Sequence, residues 1–491
     1  MFEQLMQDSL LALPILGWAG LGILLVCLQI FCPRPKISLI ASVIGLVALI
    51  SYSTVNFVSV PTAIFFGTAV IDANAQFFNL LGLIIALFTV LTMIPGMNNE
   101  HSKVFRLSYE QFPEFLICLL FSGFGLGVLA SAIDLTSLFL GLETLSIGIY
   151  CLCGFYRTEI RSTESAFKYL MIGAFSTAIF LYGIAFIYGA SGATHYSVIL
   201  ETFKTGVSPL ASLGILFLLA GFAFKLAFVP FHLYTADVYE GAPTPVTGFM
   251  ATIVKVGVIA AALRIFWGFL QPAFHFWEPF WVALCLVSIL VGNIAALQQR
   301  SIKKLLAFSS ISHGGFLGLG LLVANPEGGN LFPLAAYITI YSAMSLGVFA
   351  LISHLENREH IFSVEDLRGL GNKKFFLSLI FALFVLGLAG IPPFAGFMIK
   401  FWILQALVQQ NYMTVALIAV VGSIIGAAYY LRILMLMFMS TEEGAAAQWP
   451  LSKDRALSLR FVVAVTALIT LLGGIRPSLY ADWILHALAL K

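Results

Sequence analysis

Apolar stretches long enough to cross a bilayer recur along the whole chain, near 13–32, 37–58, 75–96, 114–133, 135–155, 166–190, 209–230, 244–268, 277–298, 304–324, 331–354, 375–409, 412–439 and 457–475. A crossing helix needs about 20 apolar residues. Inside lipid each backbone polar group must find an internal partner, so stretches of this length read as helices in a bundle. The sequence therefore predicts an all-α polytopic membrane protein of about fourteen transmembrane helices. Composition agrees, with 60% hydrophobic and only 10% charged residues and a mean hydropathy of +1.00. Soluble domains carry about 25% charged residues, so this chain could not cover a water-facing surface of its own. The 25 Lys+Arg nearly balance the 23 Asp+Glu, and no basic stretch tracks phosphates, which argues against nucleic acid as a partner.

Loop charges test the helix count independently. Numbered in order, the odd loops hold Arg34 and Lys36, Lys103 and Arg106, Arg157 and Arg161, then Arg300, Lys303 and Lys304. They continue with Arg358, Arg368, Lys373 and Lys374, and end with Lys453 and Arg455. The even loops hold little beyond Lys204 and the flanking Arg264. Positive charge stays on the cytoplasmic side, so an even count with both termini outward is expected. Met1 to Ser9 carries Glu3 and Asp8 but no basic residue, unlike a signal peptide, and the first apolar stretch is expected to remain as a span. Of six cysteines, Cys27, Cys32, Cys118, Cys151, Cys153 and Cys285, all but Cys32 fall in apolar runs. None has the spacing of a zinc or iron–sulfur site, so they read as packing residues, and no metal is expected.

Four ionisable residues sit near mid-span: Glu143 in the fifth helix, Lys225 in the seventh, Lys255 in the eighth and Lys400 in the twelfth. Each central charge costs about 2.5 to 3.5 kcal/mol to insert. Snorkelling needs a helix end within reach, and Lys255 has none. The chemistry suits protons: a lysine in a dry site loses its proton more readily, and a nearby carboxylate opposes that. A movable Glu143 would thus switch Lys225 between holding and releasing a proton. Cation coordination would call instead for clustered carboxylates and carbonyls.

Proline breaks the seventh helix at Lys225-Leu-Ala-Phe-Val-Pro230-Phe-His232, and the twelfth at Gly390-Ile-Pro392-Pro393, ahead of Lys400. Broken backbone at membrane depth is tolerated where it is buried or lines a wet cavity. Interrupted segments in two halves of a chain mark inverted transport repeats, here helices 4 to 8 and 9 to 13. The expected divisions are 1–110 for the first three helices, 111–270 and 271–440 for the repeats, and 441–491 for the last helix. The tenth helix sets Ser309, Ser310, Ser312 and His313 in an apolar run, and because a histidine ordinarily titrates near neutrality, His313 could relay protons between the lysines. His232, after the first break, is a secondary candidate. So are Glu164 and Lys168, an i,i+4 pair near the cytoplasmic end of the sixth helix. Asp134 is read as a solvated turn residue.

The run from Phe224 to Val246, with Asp237-Val-Tyr-Glu-Gly-Ala-Pro243, resembles the antiporter-like subunits of respiratory complex I, and within them the N-type subunits of bacterial NADH:quinone oxidoreductase. Gly141-Leu142-Glu143, Ile302-Lys303-Lys304-Leu305-Leu306 with Ser309-Ser310-Ile311-Ser312-His313, and Leu388-Ala389-Gly390-Ile391-Pro392 with Gly396-Phe397 and Lys400 extend the likeness over most of the chain. Where relatives often read Trp-Thr-Pro-Asp, this chain has Tyr234-Thr235-Ala236-Asp237. The resemblance implies fourteen helices with two inverted five-helix repeats. It also implies that Glu143 pairs with Lys225, Lys255 is the central lysine and Lys400 the terminal residue of a proton path. A lysine at that last position and a chain that stops soon after the fourteenth helix point to the N type.

The expected function is proton translocation in a bacterial inner membrane, coupled to electron transfer from NADH to quinone. With no nucleotide fingerprint or cluster ligands on this chain, FMN, iron–sulfur clusters and the quinone are expected on companion subunits. Its partners would be other membrane subunits, especially the K-type and M-type neighbours, and lipids. The rival expectations are a subunit of a multisubunit sodium/proton antiporter and a non-pumping structural membrane subunit.

Overall fold

The computed structural model describes residues 2–58, 60–97, 111–325, 330–359, 363–440 and 457–488. Lys103, Arg106, Lys453 and Arg455 lie outside them, and Arg358 is described in its backbone alone. The chain opens with α1 (Phe2–Leu11), α2 (Leu13–Phe31) and α3 (Pro35–Val55). A short antiparallel hairpin, β1 (Thr62–Ile64) and β2 (Ala69–Ile71), leads into α4 (Ala73–Met97). Next come α5 (Phe112–Ser131), α6 (Leu135–Cys153), α7 (Ile160–Ser191), α8 (Tyr196–Thr205), α9 (Pro209–Lys225), α10 (Thr235–Gly241) and α11 (Thr244–Phe266). The second half holds α12 (Phe274–Leu297), α13 (Ile302–Val323), α14 (Phe332–Glu359), α15 (Leu370–Lys373), α16 (Phe375–Ala389), α17 (Ala395–Gln409) and α18 (Met413–Met439). The last two are α19 (Leu457–Ile475) and α20 (Ser478–Ala487).

Among the described residues twelve helices are long and apolar enough to cross a bilayer. Three shorter apolar helices, α9, α16 and α17, stand where the seventh and twelfth crossings were expected. Continuous spans therefore number twelve, because the proline breaks divide the other two. The hairpin is an addition that helical periodicity did not announce.

The same packing order recurs in both halves. α5 lies along α6 and α11, as α12 lies along α13 and α18, while α7 packs on α9 as α14 packs on α17 and α16. Both repeats are interrupted at the fourth helix. α9 ends at Lys225, the chain passes Ala227 at positive φ and a cis Val229–Pro230 bond, and α10 follows. α16 ends at Ala389 with Gly390 left-handed at φ 82°, then comes a cis Pro392–Pro393 bond, and α17 begins. A Cβ at Gly390 would lie 2.8 Å from Lys400 Cδ, so this position needs glycine for its backbone and for the lysine beside it.

The halves run in opposite directions. α10 leads to the end of the bundle that carries Arg300 and Lys304, since Lys304 Nζ lies 3.5 Å from Asp237. α17 leads to the other end, where Gln410 Nε2 donates to the Val323 carbonyl at 2.9 Å. Burial is graded across the bundle. α11 is enclosed along its whole spanning window and α13 and α14 nearly so, whereas α2, α3, α7, α18 and α19 leave most of theirs unburied. That outer apolar surface suits lipid or neighbouring membrane subunits.

α5 and α6 cross on Gly125 and Gly141, a small-residue contact of the kind that lets membrane helices approach closely. A Cβ on Gly125 would sit 2.8 Å from the Gly141 carbonyl oxygen and closer still to the Leu145 amide nitrogen. Gly125→Val should therefore lower thermal stability by ~1–3 kcal/mol, whereas Gly20→Val, with open space around it, should leave the melting temperature unchanged. Equal melting curves for the two variants would refute the crossing.

Candidate functional site

α6 begins at Asp134, which accepts from Thr136 N at 2.7 Å and Thr194 Oγ1 at 2.5 Å. Asp134 is buried. It is an N-cap satisfying an orphan amide of the helix, which corrects its reading as a solvated turn residue. One face of α6 then carries Glu143, Ser146 and Tyr150. Lys225, the last residue of α9, reaches this face: its Nζ donates to Ser146 Oγ at 2.7 Å and Tyr150 OH at 3.4 Å. Glu143 Oε1 is 4.0 Å from the same Nζ and accepts from Thr177 Oγ1 at 2.7 Å. The pair is thus an ion pair at its outer limit, with a serine hydroxyl holding the ammonium directly.

Lys255 lies midway along the enclosed α11. Its Nζ donates to the Ser310 carbonyl at 2.6 Å, to Tyr341 OH at 2.9 Å and to Ser310 Oγ, and it stands 4.7 Å from the Tyr341 ring centre. Tyr239 OH is 3.0 Å from Ser310 Oγ, so α10 touches this centre. His313 Nδ1 is 2.7 Å from Tyr337 OH, and its ring centre is 5.0 Å from that of Tyr341. Tyr337 in turn stacks on Phe316, with ring centres 6.0 Å apart, and Lys400 Nζ stands 5.6 Å from the Phe316 ring centre. Lys400 Nζ donates to the Leu388 and Ala389 carbonyls at 3.2 and 2.9 Å. These are terminal carbonyls of α16, a natural seat for a cation. The structure therefore brings Lys255, His313 and Lys400 into one cluster. Lys225 has its own, and the two approach at Gly314, where an added Cβ would lie 3.1 Å from the Leu226 carbonyl oxygen and 3.7 Å from Lys255 Cε.

The secondary candidates stand apart from these lysines. His232 Nδ1 is buried without a hydrogen-bond partner, and its ring centre lies 6.4 Å from that of Phe308. Glu164 and Lys168 pair at 2.8 Å, and Lys168 also meets Asp237 Oδ2 at 2.9 Å. Lys304 joins Asp237 at 3.5 Å and Glu240 at 3.1 Å. This partly exposed network ties α7, α10 and α13 at the basic end.

Sequence reasoning missed the hydroxyls of Ser146, Tyr150, Thr177, Tyr239, Tyr337 and Tyr341, which look like core residues until their helices are placed. It also missed Glu356, just past the expected end of its span, and counted its partner Lys303 as a loop charge. Both are buried, with Lys303 Nζ 3.9 Å from Glu356 Oε1. Arg264, counted as flanking, grips Asp72 at 2.6 and 2.9 Å. Arg432, far inside α18, reaches Glu365 at 3.1 Å. Among the described residues no group of three His, Cys, Asp or Glu could hold a metal ion, and all six cysteines are free.

The Lys168 ammonium, with Lys304 beyond it, holds the Asp237 carboxyl below the usual carboxylate range. A lowered folded value means a contribution that is present above the unfolded pKa, about 3.9, and lost as pH falls through the folded value. Asp237→Asn should lower stability at neutral pH by ~1 kcal/mol or less, since the pairs are exposed and screened. Melting curves across pH check this: the gap between variant and parent should close on acidification, and a pH-independent gap would contradict it.

The family described as NADH:quinone oxidoreductase/Mrp antiporter, TM matches residues 132–426, which hold all four mid-membrane charges. NADH-quinone oxidoreductase subunit N of Methylobacterium nodulans is 37% identical over 84% of this chain and 83% of its own length. A chain of respiratory complex I from Thermus thermophilus superposes with a TM-score of 0.77 at 31% identity, covering 96% of this chain and 98% of that one. A chain of the Mrp complex from a Dietzia species shares the fold, with a TM-score of 0.79 at 20% identity over 98% and 97% of the two chains. The enclosed helices, the paired breaks and the lysines they seat thus belong to a polytopic subunit of the NADH:quinone oxidoreductase/Mrp antiporter family.

Proposed function

We propose that this chain is a proton-translocating membrane subunit of an NADH:quinone oxidoreductase of the bacterial inner membrane, a translocase component with its redox chemistry on companion subunits. The observation that carries this reading is the set of lysines held by hydroxyls and carbonyls, Lys225 and Lys400 at the two helix breaks and Lys255 on the enclosed α11 between them. The relatives named NADH-quinone oxidoreductase subunit N, and the complex I chain at 31% identity against 20% for the Mrp chain, favour this over a sodium/proton antiporter subunit. FMN, iron–sulfur clusters and quinone belong to the other subunits, and the K-type and M-type subunits are the neighbours.

In this reading the basic end faces the cytoplasm and both termini lie outside. Residues 111–270 and 271–440 act as the two repeats, flanked by 1–110 and 441–491. A proton reaches Lys225 from the cytoplasm beside the first break, passes to Lys255 and His313, and leaves from Lys400. Glu143 is the control element. At 4.0 Å from Lys225 it has room to close into a direct hydrogen bond, which favours the ammonium, or to withdraw, which favours the amine. Moving one charge against about 100 mV requires about 2.3 kcal/mol, within what such a closure can switch.

NADH-driven proton uptake by vesicles holding the complex tests this reading. Lys225→Ala should cut pumping and Lys255→Ala abolish it in fully assembled complex, with quinone reduction depressed in step, while normal rates in correctly assembled variants would leave a purely structural role.

A further inference from the structure

Lys303 and Glu356 form a buried pair that the path above does not use. Glu356 lies near the C-terminal end of α14 and Lys303 in the first turn of α13, and both are buried. Lys303 Nζ donates to the Ala242 carbonyl at 2.8 Å and to Thr244 Oγ1 at 3.2 Å, and it stands 3.9 Å from Glu356 Oε1. Thr244 Oγ1 in turn donates to Glu356 Oε2. A pair that only joined three helices could be apolar at no loss of stability, since removing two charges from water is seldom fully repaid.

Its surroundings form a graded approach from the basic end. Asp237 and Glu240 on α10 are 45% and 32% exposed in their side chains, and Glu356 is 6%. Glu240 pairs at 3.1 Å with Lys304, the residue next to Lys303 on α13, so the carboxylates pass inward from surface to interior. Ser310, which holds Lys255, lies seven residues beyond Lys303 on α13, about 10 Å at ~1.5 Å per residue. Along that interval Thr247 Oγ1 donates to the Tyr239 carbonyl at 3.2 Å, and Tyr239 OH is 3.0 Å from Ser310 Oγ.

We infer that the Glu356–Lys303 pair, with Thr244, is a second proton inlet that loads Lys255 directly from the basic end, by way of Tyr239 and Ser310. This rests on the proton path proposed above. Glu356 takes a proton arriving past Asp237 and Glu240 and becomes a neutral acid. When Lys255 is a free amine, Glu356 returns to a carboxylate beside the Lys303 ammonium, and the proton crosses the interval between Thr244 and Tyr239, then passes through the Tyr239 and Ser310 hydroxyls to make the Lys255 ammonium. One positive charge moves inward and no other bond changes.

The test uses the whole complex in vesicles, with assembly and NADH-driven proton uptake read together. Glu356→Gln keeps the side-chain shape without a transferable proton, and the double variant Lys303→Met with Glu356→Gln leaves no unpaired buried charge. Both should assemble and pump below the parent rate, since the route through Lys225 remains, while Glu356→Asp should keep the parent rate. A double variant that assembles and pumps at the parent rate overturns the inlet. Lys255→Ala in the same preparation separates the two ideas: if it is silent while the double variant pumps at the parent rate, only the inlet fails, and if it pumps, the path itself fails. Should the double variant not assemble, the unaltered complex decides, using dicyclohexylcarbodiimide, which modifies protonated carboxyls in apolar surroundings. An adduct on the Glu356 peptide, gained in step with loss of pumping, supports the inlet; no adduct there overturns it.

Discussion

An ammonium group inside hydrocarbon must be surrounded by oxygen, and the fold is arranged around meeting that demand three times. Lys225 takes hydroxyls from α6, Lys255 a backbone carbonyl with a serine and a tyrosine, and Lys400 two carbonyls at the end of α16. The carbonyls of a continuous helix are already bonded within it, so the Ser310 carbonyl in mid-α13 accepts from Lys255 as a second bond, beside the Ser310 and Tyr341 hydroxyls. The break after α16 instead frees the Leu388 and Ala389 carbonyls for Lys400, while Lys225 ends its half-helix against hydroxyls. The tight packing of α11, α13 and α14 keeps lipid from the central charge, which would be intolerable against it.

How the oxygen is supplied bears on what each lysine can do. Hydroxyls accept from an ammonium and can equally donate to an amine, so Ser146, Tyr150 and Tyr341 tolerate their lysine in either protonation state. Carbonyls only accept, so the seat of Lys400 offers its nitrogen acceptors and no donor. Lys255 has both kinds of partner, which suits the middle station proposed for it. Glu143 is further from its lysine than the hydroxyl is, and is held back by Thr177. Motion of a single carboxylate can thus bias Lys225 without dismantling its hydrogen bonds.

Much of this was legible in the sequence, because the penalty for burying a charge or breaking a helix is local and belongs to the residue itself. Glu143, Lys225, Lys255 and Lys400 stood out against apolar neighbours, and Pro230, Pro392 and Pro393 marked both interruptions. What stayed hidden depends on which helices meet. Tyr150 and Tyr341 are ordinary core residues by periodicity and become ligands only when α9 and α11 bring a lysine to them. Glu356 and Lys303 sit at helix ends, where a charge can usually reach water, so their burial comes from the packing of α11, α13 and α14 alone. Asp134 looked like a turn residue because capping and solvation favour the same short carboxylate at the same place.

The two repeats are not interchangeable, and the difference gives the bundle a direction. Lys225 precedes its break, as the last residue of a half-helix, whereas Lys400 follows its break and reaches back over it to the Leu388 and Ala389 carbonyls. The half-helix beyond Lys225, α10, runs to the basic end, and α17, which bears Lys400, runs to the opposite end. Inversion of one repeat against the other thus points one half-helix toward each end of the bundle. The enclosed α11 and α13 carry Lys255 and His313 between the two breaks. Were the repeats related by simple duplication, both half-helices would point to the same end, and in the proton path proposed above the central lysine would then join two inlets with no outlet.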